Sequence, residues 1–233
     1  MYTVANPPFD PIAFHTGIYR GEIFKFERLA AVSTLIAFTC ELLEAELHPF
    51  EPPLIHRHFD QAGQVEMFAR CEKAFSRSRE VRDLWRDLFE AAGCAPDRLA
   101  CDRLHLRFQP HHDAPVEAPR ERTTATIAFH RDTWGSNLYA QTNWWAPVYP
   151  ITAGRTFAFF PELWDRPVRN TSADFDLKAV LERSHALGRN AVDADQAIPH
   201  LAEEMSGWKA APVVIEPGTV IAFSSAHAHA GVG

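Results

Sequence analysis

The chain is expected to be an α+β protein, helical in its first part and an antiparallel sandwich or barrel in its second. Two observations carry this. The apolar period changes from helical to alternating after Pro96, and six short strand-like segments follow with turn residues between them. The length, 233 residues, suits one domain with added helices better than two full domains. We therefore read residues 1–233 as a single domain, mainly helical over 1–95 and β over 96–233.

Residues Met1 to Phe9 carry no Lys or Arg and lead into Pro7 and Pro8, the wrong order for a secretory signal, so a cytoplasmic location is expected. From Phe26 to Leu47 apolar residues return at three- and four-residue steps, and Pro49, Pro52 and Pro53 stop the helix. Its apolar stretch, Leu29 to Leu43, is broken by Ser33, Thr34, Thr39 and Glu41 and falls short of the ~20 residues a bilayer needs, so no membrane partner is expected. Asp60 is placed to cap a second helical stretch, in one or two pieces, that Gly93 ends after Ala92. Leu104, Leu106 and Phe108 then alternate with His105, Arg107 and Gln109, which predicts a strand with one polar face. A charged, Pro-rich loop over 111–123 follows. Further strands are predicted at Thr124–His130, Leu138–Val148, Arg155–Phe160, Val213–Glu216 and Thr219–Ser224, with a weak helix at Asp174–Leu187. Cys40, Cys71, Cys94 and Cys101 show no CxxC spacing and are expected to be reduced and mostly buried.

With 23 basic and 30 acidic side chains the formal balance is −7, and the arginines are scattered. Neutralising phosphates needs clustered cations, so a nucleic-acid partner is disfavoured and a small-molecule substrate is expected. The sequence leaves the oligomeric state open.

The most informative segments are His130-Arg131-Asp132 and Ala226-His227-Ala228-His229. A strand-end His and an Asp two residues later can reach one point, and a His from a distant strand completes two imidazoles and a carboxylate. Such a facial triad leaves adjacent coordination positions open, which suits Fe(II) binding a chelating cosubstrate and dioxygen, whereas structural zinc is closed by four protein ligands. A competing segment, His111-His112-Asp113, lies in the Pro-flanked loop and is read as solvated. His56-Arg57-His58 has no acidic partner at ligand spacing and is assigned no function.

Three segments carry a resemblance: His130-Arg131-Asp132-Thr133-Trp134, Gln141-Thr142-Asn143-Trp144-Trp145 and Phe159-Phe160-Pro161-Glu162. Over roughly residues 100–233 the chain resembles the phytanoyl-CoA dioxygenase-like group of Fe(II)/2-oxoglutarate oxygenases, which includes ectoine hydroxylases. The resemblance implies a double-stranded β-helix, or jelly-roll, core with the N-terminal helices packed outside it. It implies His130, Asp132 and His229 as catalytic iron ligands; His229, not His227, falls eleven steps after Gly218. The cofactors implied are Fe(II), 2-oxoglutarate and O2, with decarboxylation to succinate coupled to hydroxylation of a small metabolite. The carboxylate at Asp132 disfavours halogenation.

The family's cosubstrate-clamping Arg would fall beyond Gly233, so the chain is expected to be a piece of a longer protein whose last barrel strands follow it. Within the chain, Arg107, Gln141 and Asn143 are the candidates for contacting cosubstrate. Trp134, Trp145, Trp164 and Arg155 are the candidates for substrate, and Pro161 to Asn170 reads as a loop over the mouth. Two other readings compete: a barrel of the same fold that binds a small molecule without catalysis or without 2-oxoglutarate, and a zinc hydrolase, for which no general base is evident.

Overall fold

In the computed structural model, which describes residues 1–6, 9–101, 104–108, 127–187 and 198–232, the fold is mixed α+β. Six helices and seven strands in two small sheets form among those residues. The order is β1 (Tyr2–Ala5), α1 (Pro11–Tyr19), β2 (Ile23–Phe26), α2 (Ala30–Leu47), α3 (Gln61–Arg77) and α4 (Arg79–Ala91). It continues with α5 (Asp132–Ser136), β3 (Thr142–Trp145), β4 (Thr156–Phe159), α6 (Leu177–Leu187), β5 (Ala211–Pro212), β6 (Val220–Ser224) and β7 (His229–Val232). No described helix is long and apolar enough to cross a membrane.

The helix boundaries follow local chemistry. Asp60 caps α3 by accepting from the Gly63 N–H, and the expected single or double stretch is two helices because Ser78 closes α3 and its hydroxyl caps α4 at Val81. Gly93, at φ +78°, ends the run. The helix read from Phe26 begins only at Ala30, since Ile23–Phe26 is a strand. Its two faces are both apolar in part: Phe24 and Phe26 join the helix-side core, and Ile23 faces the second sheet. The N-terminal part is thus not wholly helical; it donates β1 and β2 to a sheet.

The first sheet runs β1-β2-β6-β3 and the second β5-β4-β7. Residues beside the second sheet extend it. His130 and His229 exchange both backbone hydrogen bonds at 3.0 Å, and the Gly231 N–H donates to the Ile127 carbonyl at 2.7 Å. Strand β6 is buried at every position. Val220 and Ala222 face the core made with Val32, Leu35, Val81, Leu88 and Phe89 of α2 and α4, while Ile221 and Phe223 face Phe157 and Phe159 across the gap between the sheets.

Three expectations need correcting. Residues 104–108 pair with no strand. Their alternation reflects packing on helices, with Leu104 and Leu106 against the α2–α4 core and Phe108 stacked on Phe68 at 4.4 Å. The strand expected at Val213–Glu216 is displaced to Ala211–Pro212, and the Thr156 hydroxyl takes the Val213 carbonyl where a ladder would continue. The long strand at 138–148 narrows to Thr142–Trp145. The cysteines are free, as expected, with Cys71 and Cys94 buried, Cys40 half-buried and Cys101 exposed. Gln109, the 111–123 loop, residues 124–126 and the His111-His112-Asp113 segment lie outside the described residues.

One tight point generates a prediction. Gly21 has φ +85°, and a Cβ there would come within 2.5 Å of the Trp164 ring, whereas a Cβ on Gly154 would meet nothing. Gly21→Ala is expected to destabilise by more than about 1 kcal/mol in urea unfolding, with Gly154→Ala near neutral.

Candidate metal centre

Three elements converge on one point. His130 ends the segment bridged to β7, Asp132 opens α5 two residues past the bridge, and His229 opens β7. Among the described residues, His130, Asp132 and His229 form the one group of its kind able to hold a metal ion, with one ligand atom from each lying within 4.8 Å of the others. The backbone exchange between His130 and His229 sets their rings 4.3 Å apart. His130 Nε2 lies 3.4 Å from Asp132 Oδ1.

Each imidazole is oriented by a carbonyl two residues back. His130 Nδ1 donates to the Ala128 carbonyl at 2.8 Å and His229 Nδ1 to the His227 carbonyl at 3.0 Å. That arrangement leaves both Nε2 lone pairs available, as a metal site requires. The carboxylate is oriented as well. Asn143 Nδ2 donates to Asp132 Oδ2 at 2.6 Å, and Gln141 Nε2 donates to Asn143 Oδ1 at 2.8 Å. Two imidazoles and one carboxylate, with their outer atoms engaged by protein, are a donor set that suits a divalent transition metal.

The electrostatics keep Asp132 and His229 in ligating form. Burial alone would raise the Asp132 carboxyl, but the contact with His130, the positive potential of His229 and the Asn143 amide outweigh it and hold it at about 2. Burial first, then the His130 charge, pushes His229 down to about 4. His227 is likewise pushed to about 4, by burial and the charge of His229. Its ring lies tilted 4.5 Å from Trp164 and edge-on 5.3 Å from Phe159, so it belongs to the packing beside the triad and contributes its carbonyl to His229.

The other expected residues are distributed as follows. Arg107 is exposed, yet its charge bears on His229. Asn143 is committed to Asp132, and Gln141 to Asn143. Trp145 faces the space between the sheets, 5.1 Å from Phe157, whereas Trp144 packs on Phe26 in the helix-side core. Trp134 leans on Phe129 at 5.9 Å. Trp164 is wedged between His227 and Gly21. Arg155 is exposed just before β4.

Sequence reasoning missed Ser225. Fully buried, it receives Thr133 N–H on its carbonyl at 3.4 Å, donates its own N–H to Gln141 O at 3.1 Å and its hydroxyl to Leu138 O at 3.1 Å. It thereby ties the Asp132 turn to the start of β3. A lone Ser before a His pair carries no motif that would reveal this.

No protein-family model matches the chain, and no curated protein matches it.

Two expected outcomes follow. Asn143→Ala should weaken divalent-metal affinity by roughly 10–100-fold in equilibrium dialysis while leaving the fold intact, since it frees Asp132 to rotate. His227 and His229 bind protons less readily folded than unfolded, so stability is fully present above pH 6.5 and is lost as pH falls toward 4; Asp132 adds a loss between 3.8 and 2. Urea midpoints should therefore drop between pH 7 and pH 5, and a flat profile would contradict the burial of these rings.

Proposed function

We propose that the chain is a non-haem Fe(II)/2-oxoglutarate-dependent oxygenase of the phytanoyl-CoA dioxygenase-like type, hydroxylating a small-molecule metabolite. The observation that carries this is the His130–Asp132–His229 triad, two imidazoles and one carboxylate with oriented ligand atoms. The strand order supports a jelly-roll core. Residues 127–130, β3, β4, β5, β6 and β7 fall in the second, first, second, second, first and second sheets in turn, and Asn143 of one sheet holds the carboxylate that faces His229 of the other.

Bound Fe(II) would supply dioxygen activation coupled to oxidative decarboxylation of 2-oxoglutarate to succinate. The chain's own residues do the rest. His130, Asp132 and His229 hold the ion, Gln141 and Asn143 keep Asp132 aimed, and Phe157, Phe159 and Phe223 close the interior beside His229 to water. Arg107, whose charge reaches His229, is the group assigned to the cosubstrate carboxylate. Trp145 lines the same interior and is assigned to the substrate wall.

Anaerobic Fe(II) titration with and without 2-oxoglutarate tests the reading. A weak visible charge-transfer band should appear only with both and vanish in His130→Ala and in His229→Ala. Arg107→Ala should raise the 2-oxoglutarate concentration needed about tenfold or more. Iron binding without the band would remove the cosubstrate, and no metal binding would remove the oxygenase reading altogether.

A further inference from the structure

A cleft of about 510 Å³ opens beside the segment that carries His130 and Asp132. Arg131, Trp134, Tyr139, Val168, Ser172 and Phe175 are among its walls, and none of the three candidate metal ligands lines it. Arg131 stands between His130 and Asp132 in sequence but reaches the other way, its Nη2 donating to the carbonyls of Leu163 and Arg166.

Those two bonds explain how Arg131 holds the 163–166 turn. They do not explain its charge. Among the described residues no carboxylate lies within ion-pair distance of the guanidinium, and its buried Nε has no hydrogen-bond partner. A half-buried cation without a counter-ion is costly unless something anionic completes it. The rest of the cleft suits such a guest. Trp134 and Phe175 offer flat apolar walls, and Tyr139 and Ser172 offer hydroxyls. Gly135 keeps the floor open: a Cβ there would meet only Pro199 at 3.4 Å and Phe175 at 3.6 Å, ordinary contacts that leave room for a side chain.

The geometry points to this cleft as a binding site for a small oxyanion-bearing molecule with an apolar body, the anion recognised by Arg131 and the body held between Trp134 and Phe175. The site stands whether or not the triad takes iron.

The test is calorimetric titration of the metal-free chain with benzoate and, separately, inorganic phosphate. Saturable benzoate binding is expected, with phosphate weaker for lack of an apolar body. Two variants should each weaken benzoate about tenfold or more: Arg131→Gln, which removes the cation, and Gly135→Leu, which fills the cleft while leaving the bonds of Arg131 to the turn in place. The second keeps the proposal testable should loss of the Arg131 tie unfold the first. His229→Ala should bind benzoate unchanged. No saturable binding, binding indifferent to Gly135→Leu, or binding lost in His229→Ala would each overturn the assignment.

Discussion

Two backbone hydrogen bonds between His130 and His229, both 3.0 Å, join residues from the two ends of the C-terminal half and make every other feature of the site possible. Because the two residues are directly paired across an antiparallel bridge, their side chains leave the sheet on the same face and their rings come within 4.3 Å. Asp132, two residues beyond His130, then needs only a turn to arrive beside them, and α5 supplies it. A slip of one residue in this pairing would turn His229 to the opposite face and present Ala228 or Ala230 in its place.

That bridge is held in register by the packing around β6. The strand is apolar on both faces because it separates two cores, one shared with α2 and α4, the other with β4. Full burial of each of its large side chains contributes about 1.5–3 kcal/mol, so the strand anchors both layers at once. Phe159 and Phe223, with ring centroids 4.8 Å apart, connect it to the second sheet just where His229 begins β7. The apolar contacts thus hold the polar site in place, and the site's own hydrogen bonds only refine its orientation.

The polar groups gathered there are unfavourable to bury singly. They are tolerated because nearly every outer atom is engaged: two carbonyls take the Nδ1 protons, and the Asn143–Gln141 pair takes the carboxylate. The His229 imidazole remains neutral for the same reason that it remains ordered, since charging it would cost hydration that the interior does not return. Arg131 Nε and His227 Nε2 are exceptions, buried without a hydrogen-bond partner, and the unmatched charge of Arg131 marks a second face of the same segment.

Local chemistry made much of this readable in advance. Asp60 and Gly93 act within one helical turn, so the stretch that forms α3 and α4 and its two outer ends were legible from residue type and spacing, whereas α1 was not foreseen and α2 begins four residues later than its apolar spacing suggested. The pairing of His130 and Asp132 with a late His was legible too, because a two-residue step and a strand end restrict where side chains point. What sequence could not supply were relations between distant segments. The alternation at 104–108 describes a side that packs and a side that does not, and it cannot say whether the surface beneath is a strand or helices. Strands β1 and β2 are four residues each and exist because β6 lies alongside β2. Nor does composition reveal that Asn143 turns to Asp132, or that Ser225 ties two turns together. Those arrangements come from which backbones meet across the fold, and that is decided by burial summed over the whole chain.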